Sequence, residues 1–213
     1  MGVPNPQSTV RRWRIDDITP DFQNYGVWDL PTPGGRDDFP RLVQLFAGGT
    51  TADNPSRIAR LLFAIRWKLG ALLGWDDADS GIGRRVDSLR SRLPADLRRA
   101  APGPAFSTLP FTPVFLLENE SAAEMANSTM HGVLHLRWVP DQRGADGGQN
   151  AQGDADGAYH GQLAVLVKPN GLFGRAYMAG IKPFRHLLVY PPLLRGIGRE
   201  WQDLSAQGSG GTA

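Results

Sequence analysis

The chain of 213 residues contains no cysteine. That absence removes thiol nucleophiles, disulfide staples and thiolate metal sites together. No apolar run approaches the roughly 20 residues that a membrane-spanning helix needs. The segment Met1–Arg14 is polar and carries proline. It lacks the apolar centre of a secretory signal, so a cytoplasmic location is expected. Lysine is scarce, and arginine supplies most of the 23 basic residues that stand against 21 acidic ones, for a formal charge of +2. The catalytic fingerprints that carry their own mechanics are missing too: there is no nucleophile elbow, phosphate-cradling glycine loop, dinucleotide motif or helical zinc motif. Gly34-Gly35 and Gly81-Ile82-Gly83 are too short and wrongly placed to serve.

What is present suits one globular unit. An apolar share of 41% in a chain of this length supports a single core. Residues 1–10 read as a flexible leader, 11–204 as one domain and 205–213, rich in Gly and Ser, as a disordered tail. Arg12–Ile15 alternates as a short strand or edge. Tyr25–Leu30 is a better strand candidate, ended by the turn Pro31–Gly35, and Arg41–Phe46 fits a short helix or a strand. Ile58, Leu61, Leu62, Ile65, Leu69, Leu72 and Leu73 recur at helical spacing, with Asn54 or Asp53 as cap, Pro55 in the first turn and Gly74 as stop. A second helix is expected over about Ile82–Leu93, halted by Pro94. Phe111–Leu117, Met130–Val139 and Tyr159–Val167 are β-prone. The last two are expected to form an antiparallel hairpin around a mobile loop at 141–158, whose Gly, Asp and Gln bury too little to order themselves. The spacing of Asp141, Asp146, Asp154 and Asp156 in it matches no calcium loop.

From Phe173 onward, apolar residues fall at 173, 177, 181, 184, 187, 188, 191, 194, 197 and 201, in helical steps that keep phase across Pro183, Pro191 and Pro192. Because proline bends a helix, the pattern predicts one long kinked helix, or two nearly collinear ones, laid against a sheet and closing over an apolar pocket. The overall expectation is an α+β domain.

Three stretches carry a resemblance: Met130–Pro140, Gly161–Gly171 and Gly174–His186. Together they resemble a bacterial family of uncharacterised function within the START-like, polyketide-cyclase-like (SRPBCC, helix-grip) superfamily. The resemblance covers most of residues 25–201 and is most specific in the C-terminal half. It implies a curved antiparallel sheet wrapped around a long kinked C-terminal helix, with two shorter helices after the first strand. It also implies a cavity for an apolar or amphipathic small molecule. It supplies no catalytic motif and no cofactor, and the 141–158 loop is longer than the family's hairpin needs.

Candidate chemistry comes from a few polar residues. His131 and His135 are four apart, but on a strand that separation is about 13 Å, too far for one ion held at ~2.1 Å by each ring. A metal would require His160 and a carboxylate as well, so no metal site is expected. On the 130–139 strand, His131, Val133, His135 and Arg137 share one face, and Leu134, Leu136 and Trp138 the other. The apolar set is expected to face the interior, which would leave both histidines outside. Glu124, among small residues, and Asp29, beside Trp28, are candidate acid–base carboxylates if burial raises their pKa. Tyr177 is a candidate hydroxyl donor, and Arg185 a candidate partner for a ligand carboxylate. Trp28, Phe115, Phe173, Met178 and Phe184 complete the candidate ligand wall. Arg175 and Lys182 fall off the helical stripe, and His186 sits near its edge. Arg84, Arg85, Arg90, Arg92, Arg98 and Arg99 form the densest basic stretch. Asp87 and Asp96 interrupt it and no aromatics interleave, so it reads as a solvated face rather than a nucleic-acid site.

Three functions are compatible with these residues. The first is a cofactor-free cyclase, dehydratase or isomerase acting on a polyketide-like or other apolar compound, with Glu124, His131, Tyr177 and Asp29 as acid–base candidates. The second is a non-catalytic carrier or sensor of a hydrophobic metabolite. The third is a protein-interaction scaffold using the arginine-rich 84–99 surface. The fold alone does not choose among them.

Overall fold

A computed structural model describes residues 12–48, 82–83, 86–107, 109–127, 129–141, 158–171 and 190–209. The helix expected at 55–74 and the stripe from Phe173 to Val189, with its kink at Pro183, lie outside them. Five strands form one antiparallel sheet: β1 (Gln23–Asp29), β2 (Thr112–Leu116), β3 (Glu120–Ala126), β4 (Met130–Pro140) and β5 (Tyr159–Pro169), in the order β1-β5-β4-β3-β2. Among the described residues two α-helices accompany it, α1 (Phe39–Gly48) and α2 (Tyr190–Ser209). The protein is thus α+β, in an arrangement consistent with a helix-grip-like fold.

The strands form where alternation and β-branched or aromatic content are highest. β4 and β5 pair from Met130↔Pro169 to Pro140↔Tyr159, the hairpin expected from their sequences. β3 was not anticipated as a paired strand. Its small residues let it lie between β2 and β4, joined to β4 by a tight turn in which Asn127 Oδ1 accepts the N–H groups of Thr129 and Met130 at 2.9 and 3.1 Å. A bulge near Tyr25 interrupts the β1 ladder. There Gly26 takes φ 148° beneath the Trp28 ring, where a Cβ would stand 2.4 Å from the indole; only glycine fits.

Both faces of the sheet are covered. On the first, Leu136, Trp138 and Leu163 pack against Phe39, Leu42, Val43 and Leu45 of α1 and against Ile197 and Trp201 of α2. Trp138 is the hub, stacked on Tyr159 at 7° and tilted against Trp201 at a 6.0 Å centroid distance. Its indole N–H reaches the Gly35 carbonyl, and that of Trp201 reaches Pro33. Arg41 lies 4.2 Å from the Trp201 ring centroid and donates to the Trp201 carbonyl at 2.8 Å. Pro191 and Pro192 lie in α2, next to its first described residue, Tyr190. α2 continues beyond Leu204 to Ser209, and the described residues do not show the long kinked helix expected from Phe173 onward.

The second face is covered by irregular segments. Arg14–Asp17 and Leu89–Arg92 are single 3-10 turns, where a short strand and a helix over Ile82–Leu93 were expected. Ile15, Ile18, Leu89, Leu93 and Leu97 pack from these segments onto Val133, Ala122, Phe115 and Leu166. The apolar spacing of Val86, Leu89 and Leu93 is helical, but Ser88 and Leu93 take extended backbone (ψ 140° and 128°), which confines the turn to Leu89–Arg92. The expectation that His131 and His135 face outward is overturned as well. They are 2% and 0% exposed, because this second layer covers the face they occupy.

Candidate functional site

Covering a sheet with 3-10 turns creates a hydrogen-bond problem. The first N–H groups of each turn have no partner within the turn, and here they point into the protein. Two carboxylates on β3 answer it. Glu120 accepts the backbone N–H groups of Arg14 and Ile15 at 3.0 and 2.9 Å. Glu124 accepts the Leu89 N–H at 3.0 Å and the Ser88 hydroxyl at 2.6 Å, while Ser88 in turn caps Arg90.

Each carboxylate also meets a histidine diagonally across the β3–β4 ladder. Glu124 Oε2 lies 2.7 Å from His131 Nε2, and Glu120 Oε1 lies 2.9 Å from His135 Nε2. The register makes this inevitable, because Glu124 opposes Val133 and Glu120 opposes Arg137. Each glutamate therefore lies two residues along from the partner of its histidine, on the same face. The tautomer of His135 is fixed: Arg137 Nε–H donates to its Nδ1 at 3.1 Å, so Nε2 carries the proton to Glu120. Burial, reinforced by the Arg137 charge, holds the His135 pKa below its ordinary value even against Glu120. Burial pushes Glu120 upward, but its bonds to His135, Arg14 and Ile15 outweigh this and leave its pKa lowered. The pair is neutral imidazole and carboxylate.

The structure thus joins two sequence candidates, Glu124 and His131, and seals them at 0% and 2% exposure with Phe22 edge-on to the imidazole at 5.0 Å. Every carboxylate oxygen has a donor. A buried pair so saturated reads first as a staple between sheet and turns. Asp29 has a different setting. It is exposed on β1, where His160 Nε2 lies 3.2 Å and the Gln162 amide 2.8 Å from Oδ1. Trp28 packs on the helical face of the sheet and Phe115 on the opposite one, so the two cannot line one cavity. Tyr177, Arg185, Phe173, Met178 and Phe184 lie outside the described residues, as do Arg175, Lys182 and His186. Among the described residues no group of three or more His, Cys, Asp or Glu is placed to hold a metal.

Glu120 was missed in the sequence, although a signal exists. Glu120 and Glu124 are four apart, as are His131 and His135, and a tight turn between them pairs first with last. The arginine-rich stretch was read as a solvated face, and Arg92, Arg98 and Arg99 are exposed, although several of its donors also bond to the chain. Arg90 reaches the Val114 carbonyl, Arg92 reaches Asp21 and the Ile18 carbonyl, and Arg98 reaches the Leu93 carbonyl. Arg84 and Arg85 lie outside the described residues.

A small niche opens on the helical face of the sheet, above the small side chains of β3. Ser121 and Ala123 form its floor, with Leu134 and Leu136, and Val43 and Phe106 are among its walls. Its volume is about 10 Å³, room for roughly one water. The outer wall is a proline-bearing strap, residues 101–107. It is tied at one end by Leu116 N–H to the Ala101 carbonyl and at the other by Ser107 N–H to the Ala47 carbonyl, at 2.8 and 2.9 Å.

Residues 18–192 match a protein family described as a protein of unknown function, DUF2867. The chain belongs to that family. No curated protein matches it, and no solved structure does. Membership in DUF2867 brings a shared sequence pattern without an assigned activity, so the functional reading of this DUF2867 chain rests on its own side chains. No helix among the described residues is long and apolar enough to cross a membrane.

Proposed function

We propose that this chain is a carrier or sensor of a small apolar molecule, held between the sheet and its helical layer, in a helix-grip domain of the START-like, polyketide-cyclase-like kind. The architecture supports the superfamily reading: a five-stranded antiparallel sheet carries the C-terminal α2 on one face through Ile197 and Trp201. The observation that carries the binding reading is the niche over Ser121 and Ala123, whose lining includes no titratable side chain. The strongest acid–base pair, Glu124 with His131, sits on the opposite face, bonded to a turn. At its present volume the niche admits a water, so a larger guest enters by outward movement of the 101–107 strap. NMR titration of the full chain with neutral apolar compounds such as toluene, indole and naphthalene tests this. Amide shifts at Ala123, Leu134, Leu136 and Phe106, with the compound recovered unchanged, are expected. Saturating compound that leaves these amides unmoved would remove the reading.

One observation favours a catalytic alternative, the cofactor-free cyclase, dehydratase or isomerase. Asp29 of the Asp29–His160 pair is half-exposed, and the buried Nδ1 of His160 has no hydrogen-bond partner among the described residues. An imidazole held by a carboxylate through one nitrogen takes a proton at the other once local opening brings a substrate to it. Turnover of an apolar carbonyl compound that falls in Asp29→Asn and His160→Gln would establish this alternative; turnover unchanged in both would exclude the pair.

A further inference from the structure

The niche wall is apolar except at Ser121. Ser121 belongs to β3, opposite Leu136 in the ladder, so its side chain shares the helical face with Leu134, Leu136 and Ala123. It is 8% exposed, and among the described residues its hydroxyl has no hydrogen-bond partner. Ser88, Ser91 and Ser107, by contrast, all bond within the chain. The Ser121 oxygen is not among the sealed polar atoms that lack a partner, so it keeps contact with open space, and Ser121 lines the niche.

We infer that Ser121 is the polar anchor of this site, and that the site selects a neutral, mostly apolar molecule bearing one hydroxyl or carbonyl oxygen. The inference rests on the binding role proposed above and adds the ligand's chemical class to it. The geometry gives the reason. The floor of small and branched side chains accepts a hydrocarbon or ring surface without orienting it. A single hydroxyl, able to donate or accept, fixes which end of the guest points at β3. No cation stands in the niche wall to pair with a carboxylate or phosphate, so a neutral oxygen is the matching group.

The test compares two probes of nearly equal shape, toluene and phenol, on the full chain. Leu134→Ala enlarges the niche, and each probe is titrated by NMR into L134A and into L134A with S121A. The expected result is that S121A leaves toluene affinity unchanged and lowers phenol affinity about five- to ten-fold, the size of one hydrogen bond. Equal loss, or no loss, for the two probes overturns the anchoring role while leaving the apolar site standing. Failure of both probes to bind in either background overturns the site as well. If L134A reduces the folded fraction, Leu134→Val enlarges the niche less, and the same phenol-to-toluene ratio is read there.

Discussion

Glu124 and His131 meet at 2.7 Å in the interior, and the same carboxylate receives the first turn of the segment that covers them. Removing either member therefore affects two layers at once. Glu124→Ala is expected to destabilise the fold by about 3 kcal/mol, the lower end for breaking a buried pair, because it leaves the Leu89 N–H, the Ser88 hydroxyl and the His131 ring without their acceptor. Urea unfolding measures this. Hydrogen exchange should show the Leu89 amide losing protection more than amides in the middle of β5. A cost below ~0.5 kcal/mol would mean that the pair is not a staple.

Stability should fall on acidification in two windows. The His135 pKa is depressed from its ordinary 6.5, so below that value the unfolded chain takes up a proton that the folded chain refuses, and stability declines. The Glu120 pKa is depressed from 4.5. Its contribution is therefore full above that value and is lost as pH falls through the lower folded pKa. Urea midpoints at pH 8, 6 and 5 should decline within the first window, and His135→Asn should flatten that part of the curve. A midpoint constant from pH 8 to 5 would contradict it.

Gly161 leaves no room for a side chain. A Cβ there would stand 2.7 Å from Leu42 Cδ2 and 2.9 Å from Thr32 Oγ1, and both residues are fully buried. Gly161→Ala should cost about 1–3 kcal/mol by overpacking and loosen the Thr32 hydroxyl bond to this backbone. Thermal unfolding of the variant checks it; an unchanged midpoint would show that the turn gives way freely.

Arg41 fastens α2 to α1 by stacking on Trp201 and bonding its carbonyl. Arg41→Ala should cost about 1–2 kcal/mol, expressed mainly as faster hydrogen exchange around Trp201, whereas Arg41→Lys should recover only part of it. Equal behaviour of the two variants would deny the guanidinium a specific role.

The sheet was largely legible from the sequence. β4 and β5 stand where alternating apolar residues predicted them, within two residues, and β1 begins two residues before Tyr25. Phe39–Gly48 resolves an open choice in favour of a helix, since Pro40 fits a first turn and Leu42, Val43, Leu45 and Ala47 bury one side. The segments at 14–17 and 89–92 were misread. A single 3-10 turn has no periodicity to detect, and its fate depends on an acceptor supplied from elsewhere in the chain.

By itself the sequence determined the α+β class, the central hairpin, and which side chains of 130–139 share a face, because backbone geometry alternates side chains whatever lies above them. Only the tertiary structure decided that both faces are covered, that His131 and His135 are interior, and that Glu120 and Glu124 cap turns distant in sequence. The physical reason is that alternation fixes parity, not environment. A histidine goes inside only when a partner for its ring, and a layer to exclude water, arrive from other segments of the chain.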